Sequence, residues 1–198
     1  ETCPQYLVLD DTHYGDADAE KFIMSPPLRK KEDQDALFHA MAEGEIDVIG
    51  TDHCSFTMAQ KALGGGEFNK TPNGGAGVQN RAQLIYTYGV LPGRISLEQM
   101  ACLLSENAAR MFGMQPHKGL LAEGADADVT IYDPEGDSVI SYKTNAHNCD
   151  NSPYEGMPVR GRVTDVLLGG KRVVGGGRIV REGEGKYVFR VPSTRYRA

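Results

Sequence analysis

Ile46-Asp47-Val48-Ile49-Gly50-Thr51-Asp52-His53-Cys54-Ser55-Phe56 joins a short apolar run to a polar signature. A buried strand that ends in a carboxylate and an imidazole is how a parallel α/β barrel presents reactive groups at its carboxyl-end face. Just upstream, residues 31–43 place apolar side chains at 36, 37, 40 and 41, a helical spacing, and Gly44 fits the C-cap. Helix, short strand, then polar group is the repeating unit of an α/β barrel or doubly wound sheet. The order predicts a strand over 46–50 and makes Asp52 the candidate reactive carboxylate. A lone carboxylate does not hold a catalytic metal, so the location of its partners is the central question.

Asp52 and His53 are adjacent, so on a straight strand their side chains point to opposite faces, and both enter one pocket only if the backbone bends. The competing reading is that Asp52 caps the following loop through backbone N–H groups. Cys54 has nucleophile chemistry but no base positioned by sequence, which favours a structural thiol. His13, His39, His117 and His147 show no ligand spacing and read as surface or helix histidines. Gly64-Gly65-Gly66 lacks the Gly-Lys-Ser/Thr of a phosphate loop and reads as flexible chain. In Pro72-Asn73-Gly74-Gly75 the glycines let backbone groups approach a ligand closely, with an ordinary turn as the alternative. Phe22-Ile23-Met24 is strand-like and delivers Ser25 at its end, where Pro26 and Pro27 stop further pairing.

Elsewhere, residues 57–77 read as a long loop, and 78–88 and 97–112 as helices, the second with a Ser96/Gln99 capping box and Gly113 at its end. After Gly124 the texture turns to β-alternation: 127–132, 138–142, 163–168, 172–174 and 178–180 are strand candidates, and Gly169-Gly170 fits a two-residue hairpin turn. A boundary is placed near 119–124. It divides an α/β portion, 1–120, from a small β module, 121–185, with a tail, 186–198, expected to pack on a neighbouring surface.

The 198 residues carry a net charge of -6 with a pI near 5.4 and no basic block, which sets nucleic-acid binding aside. No apolar stretch approaches the roughly 20 residues of a membrane span, so no membrane partner is expected and the cytoplasm is the default compartment. The four cysteines, at 3, 54, 102 and 149, form no Cys-x-x-Cys pair and are expected to be reduced and mostly buried. The chain starts Glu1-Thr2-Cys3-Pro4 and runs at once into Tyr6-Leu7-Val8-Leu9, so it is expected to continue upstream.

Taken together, Glu1-Thr2-Cys3-Pro4-Gln5-Tyr6-Leu7, Met24-Ser25-Pro26-Pro27-Leu28-Arg29, Gly50-Thr51-Asp52-His53-Cys54-Ser55-Phe56, Gln60-Lys61-Ala62-Leu63-Gly64 and Pro72-Asn73-Gly74 resemble the dihydropyrimidinase and hydantoinase family of cyclic amidohydrolases. Asn107-Ala108-Ala109-Arg110, Gly124-Ala125-Asp126-Ala127-Asp128, Tyr154-Glu155-Gly156 and Gly185-Lys186-Tyr187-Val188 extend the resemblance along nearly the whole chain. The Ala-Asp-Ala-Asp stretch is widely shared among amidohydrolases, whereas the Ser-Pro-Pro-Leu-Arg and Asp-His-Cys words are more specific.

The resemblance implies the C-terminal part of a TIM-type (β/α)8 metal-dependent hydrolase barrel plus a small β-sandwich. It implies two divalent metal ions, usually zinc, bridged by a carboxylated lysine and a hydroxide. Asp52 matches the family's aspartate ligand, and everything else in the ligand set lies upstream of Glu1, so this chain alone is not expected to retain the metals or be active. By the same match Ser25 and Asn73 orient a cyclic amide substrate, and the partners are the N-terminal half of the barrel and further copies of the chain. Gln79-Asn80 stand where relatives commonly carry acidic residues, and Ala76 where some have Pro, which bears on ring preference. The rival readings are a noncatalytic scaffold of the same fold, like the collapsin-response proteins, and an allantoinase or dihydroorotase.

Overall fold

The computed structural model describes residues 1–192. Its amino-terminal portion is mostly helical. Pro4 opens α1 (Pro4–Val8) at the one helical position where its missing N–H costs nothing. Helix α2 (Lys31–Ala42) ends as expected: Gly44, at φ 76°, allows Glu45 N–H to reach the Ala40 carbonyl at 2.9 Å and Gly44 N–H to reach that of Met41 at 3.2 Å. Within the loop over 57–77 lies one helical turn, α3 (Met58–Lys61), capped by the Thr57 hydroxyl on Gln60 N–H, and the Gln60 side chain returns to Thr57 N–H at 2.8 Å. Helix α4 (Arg81–Ile85) continues through a π turn over Tyr86–Val90. Helices α5 (Leu97–Ala101) and α6 (Asn107–Met111) flank another π turn, Cys102–Glu106, so 97–111 is one rod with a bulge. The Ser96/Gln99 capping box and the Gly113 stop both form.

Two expectations for the parallel part need correction. The run 46–50 is not a continuous strand: among the described residues it makes one parallel bridge, Ile49 to Thr2. Thr2 N–H bonds Val48 O and Gly50 N–H bonds Thr2 O, as in a parallel ladder. The other edge is taken up by helices, since Ile49 N–H donates to Leu103 O and the Arg81 guanidinium donates to Ile49 O. A second parallel bridge joins His53 to Gly75. The strand-like run at 22–24 instead follows a 3-10 turn, Ala19–Phe22, because its groups bond within the turn and to Gly74.

The carboxyl-terminal portion holds a four-stranded antiparallel sheet in the order β1 (Val129–Val139), β2 (Pro158–Leu168), β3 (Lys171–Gly175), β4 (Arg178–Ile179). Gly169 and Gly170, at φ 55° and 77°, form the expected hairpin turn. The candidate strand over 138–142 does not stand apart: Ser138 and Val139 finish β1, and the chain then leaves the sheet. Among the described residues there is one sheet, not two packed ones. Of the tail, 193–198 lie outside the described residues; upstream of them Val191 N–H donates to Gly113 O.

The excursion between β1 and β2, residues 140–157, positions the site. Ile140, Tyr154 and Val159 are buried with Leu9, Phe22, Met24, Leu28 and Leu84 from the helical portion. A second cluster, including Leu7, Phe38, Met41, Ile49 and Ile85, packs α1, α2 and α4 against the 49 bridge. Each such fully buried side chain contributes about 1.5–3 kcal/mol, so the two clusters anchor the loops above them.

Candidate functional site

Three loop segments lie side by side. Gly74 N–H donates to Ile23 O at 3.1 Å, and Cys54 N–H donates to Gly75 O at 3.1 Å, so 73–75 runs between 22–25 and 52–54. The approach is close enough that a β-carbon on Gly74 would lie 2.5 Å from the Cys54 carbonyl oxygen. This is the tight backbone approach that the paired glycines permit, at a φ of 133° that other residues rarely adopt.

That layering brings together two of the three residues singled out by sequence. The Ser25 hydroxyl donates to Asn73 Oδ1 at 3.0 Å, although 48 positions separate them. Both are exposed and line a cavity of about 570 Å³ with Tyr14, Ile23, Phe68 and Thr71. Asp52 faces a different, open cavity of about 770 Å³ with Cys3, Tyr6, Pro26 and Arg29. Pro27 borders both spaces.

The backbone does bend at Asp52: its φ of 48° makes it the one described non-glycine residue on the left-handed side. Such a conformation costs about 1–3 kcal/mol and is held only by its surroundings. The carboxylate is exposed and accepts no hydrogen bond among the described residues, so it does not cap the loop. The bend also turns His53 elsewhere. His53 Nδ1 accepts from Gly77 N–H at 3.0 Å and Val78 N–H at 3.3 Å, fixing the turn that follows 73–75.

Several contacts of this region had no signal in sequence spacing. His147 is not a surface histidine: its ring lies 6.3 Å from that of His53, and burial together with His53 lowers its pKa. Gln79 and Asn80 hold the excursion, Gln79 accepting from Ala146 N–H at 2.6 Å and Asn80 exchanging amide bonds with Asn145. Tyr154, fully buried, donates its hydroxyl to Gln5 Oε1 at 3.2 Å. Lys61 is buried at 1 % exposure and donates to Ile23 O at 2.8 Å and Pro72 O at 2.6 Å. The cysteines are free, as expected, but only Cys3 is buried; Cys54 is exposed and Cys102 and Cys149 are half-buried. Burial pushes the Cys3 thiol up to about 11.

Among the described residues no group of three or more His, Cys, Asp or Glu side chains could hold a metal ion. Asp52 offers one carboxylate with no such group around it among the described residues, so these residues alone do not fit a two-metal centre. Nor is any described helix long and apolar enough to cross a membrane.

Residues 15–173 match the model of the amidohydrolase family. The chain is 44% identical over 194 residues to a D-phenylhydantoinase of Escherichia coli O1:K1, covering 97% of this chain and 42% of the relative. It superposes on the D-hydantoinase of Bacillus sp. AR9 with a TM-score of 0.92 at 43% identity, covering 96% of this chain and 42% of that one. For the dihydropyrimidinase of Brevibacillus agri the TM-score is 0.88 at 43% identity, with 90% and 39% covered. The chain thus spans about 42% of the length of the curated relatives it matches.

Proposed function

Because the chain belongs to the amidohydrolase family, we propose that the protein carrying it hydrolyses a C–N bond of cyclic amides, opening dihydropyrimidine or hydantoin rings to N-carbamoyl amino acids. The observation that carries this reading is the pairing of Ser25 with Asn73 at one cavity, with the exposed, unbonded Asp52 at a second cavity that Pro27 separates from it. The likeness to D-phenylhydantoinase and D-hydantoinase supports it.

In this reading the chain is the carboxyl-terminal part of a TIM-type barrel, 1–120, with a β-sandwich module, 121–185, and a tail, 186–198. The parallel bridges at Ile49 and His53 are its remnants of barrel pairing, and the four-stranded sheet is the module's described share. The other half of the barrel is the partner that completes it. Further copies form a homo-oligomer, consistent with exposed Ile179, Val180, Tyr187 and Phe189.

Amidohydrolases are generally metal-dependent. Two divalent ions, zinc in this reading, would, when bound, supply polarisation of the ring carbonyl and a hydroxide at neutral pH. Asp52 is this chain's ligand, with the others outside the described residues. Ser25 and Asn73 present main-chain donors and acceptors to the planar ring amide, which orients it with little dependence on side-chain size. The Asp52 carboxylate would take the proton of the attacking hydroxide and return it to the leaving ring nitrogen.

Asp52→Ala in the complete protein tests this. Ring opening of dihydrouracil and hydantoin should be abolished and bound metal, measured by atomic emission, should fall. Full turnover with normal metal content refutes the assignment, and a wild-type protein that opens neither ring favours the scaffold reading.

A further inference from the structure

The word Gln60-Lys61-Ala62-Leu63-Gly64 is part of the resemblance, but no step of the reaction above uses it. Lys61 closes the short helix α3 and points inward. Its ammonium donates to Ile23 O at 2.8 Å and Pro72 O at 2.6 Å, and lies 5.6 Å from the centre of the Phe56 ring. It forms no ion pair with a carboxylate among the described residues. A buried ammonium without a counter-ion is costly, and methionine would fill the same space without that cost. What lysine adds is a set of tetrahedrally directed donors.

Those donors meet the three segments of the site. Ile23 lies two residues before Ser25, Pro72 directly before Asn73, and Phe56 four after Asp52. The Ile23 carbonyl also accepts from Gly74 N–H, so the ammonium and the glycine share one acceptor at the crossing of two strips of chain. Gly64 keeps the surrounding loop closed, since a β-carbon there would lie 2.2 Å from Thr71 Oγ1. Without the ammonium, 22–25 and 72–75 are joined at this crossing by the Gly74 bond and the exposed Ser25–Asn73 bond.

We propose that Lys61 is a positioning residue: its ammonium, bound to the Ile23 and Pro72 carbonyls against the Phe56 ring, sets the spacing of the segments that carry Ser25, Asn73 and Asp52. The proposal rests on the ring-opening reading for its substrate. Its mechanical half, the clamp itself, does not.

Two readouts on the complete protein test it, with Lys61→Met, which keeps the volume and removes the donors. The first is steady-state kinetics on dihydrouracil or hydantoin, whichever the wild type opens, together with Asn73→Ala and the double variant. KM should rise about tenfold with a smaller loss in kcat, since the Asp52 segment is reached only through the Phe56 ring, and in the Asn73→Ala background, where the Ser25–Asn73 bond is also gone, the same substitution should raise KM well beyond tenfold, because the Gly74 bond then joins the two segments alone. The second is amide hydrogen exchange. Gly74 N–H should exchange about tenfold faster in Lys61→Met, while Glu43 N–H, bonded to His39 O at the end of α2, keeps its wild-type rate. Additive effects on KM, or an unchanged Gly74 rate, overturn the proposal. If the wild type opens neither ring, the ring-opening reading fails, and the Gly74 rate still decides the clamp. Should Lys61→Met not fold, Lys61→Gln carries the same two expectations, since its shorter amide reaches at most one carbonyl.

Discussion

Gly74→Ala probes the closeness of the segments on which the site depends. Two costs add. The first is conformational: φ of 133° lies where a β-carbon is disfavoured, at about 1–2 kcal/mol. The second is steric: the new carbon would meet the Cys54 carbonyl oxygen at 2.5 Å and its β-carbon at 2.8 Å, and forcing backbone apart typically costs about 1–3 kcal/mol. Gly65→Ala is the matched control. Gly65 also has a left-handed φ, 60°, but an added β-carbon meets nothing within 4 Å, so it isolates the conformational part at about 1 kcal/mol. The expected loss for Gly74→Ala is thus about 2–5 kcal/mol, a melting-point drop several times that of the control at about 2–4 °C per kcal/mol. With no tryptophan in the chain, urea and thermal unfolding are best followed by far-ultraviolet circular dichroism. If the two variants melt together, 73–75 does not press on Cys54, and the layering that brings Asn73 to Ser25 is wrong.

Tyr154→Phe removes a buried hydroxyl and strands Gln5 Oε1; it should lower the unfolding free energy by about 1–2 kcal/mol while leaving the secondary structure unchanged, and an unaltered urea midpoint would refute the bond. Lys61 predicts a pH dependence. Burial pulls its ammonium from 10.5 down to about 8, against the opposing pull of the neighbouring Cys54 and Cys149 thiols. Between about 8 and 10.5 the unfolded chain therefore holds the extra proton, so the lysine's contribution to stability rises with pH across that window and is flat below it. Urea titrations of wild type and Lys61→Met should diverge in favour of the wild type from pH 8 to 10; parallel curves would show an ordinary lysine.

Local chemistry was legible wherever one stretch of chain decides the outcome. The helical spacing over 31–43, the Gly44 and Gly113 stops, the Ser96/Gln99 box and the Gly169-Gly170 turn all form, because each depends on bonds among neighbours in sequence. The words around Ser25, Asp52 and Asn73 likewise pointed to the amidohydrolase family without coordinates. What depends on distant pairing was not legible. An apolar run such as 46–50 becomes a strand only where a partner pairs along its length, and here Thr2 pairs with Ile49 alone while Leu103 and Arg81 occupy the other edge. The left-handed step at Asp52, the bond from Gly77 N–H to His53 and the packing of Gly74 against Cys54 belong to contacts between 52–54 and 73–78 that no local spacing announces. The contact of Ser25 with Asn73, and the burial of Lys61 between the carbonyls of Ile23 and Pro72, join positions tens of residues apart. Residue types and short spacings determine which groups are available for chemistry; only the closed chain decides which of them meet, because meeting is a property of space and not of order along the sequence.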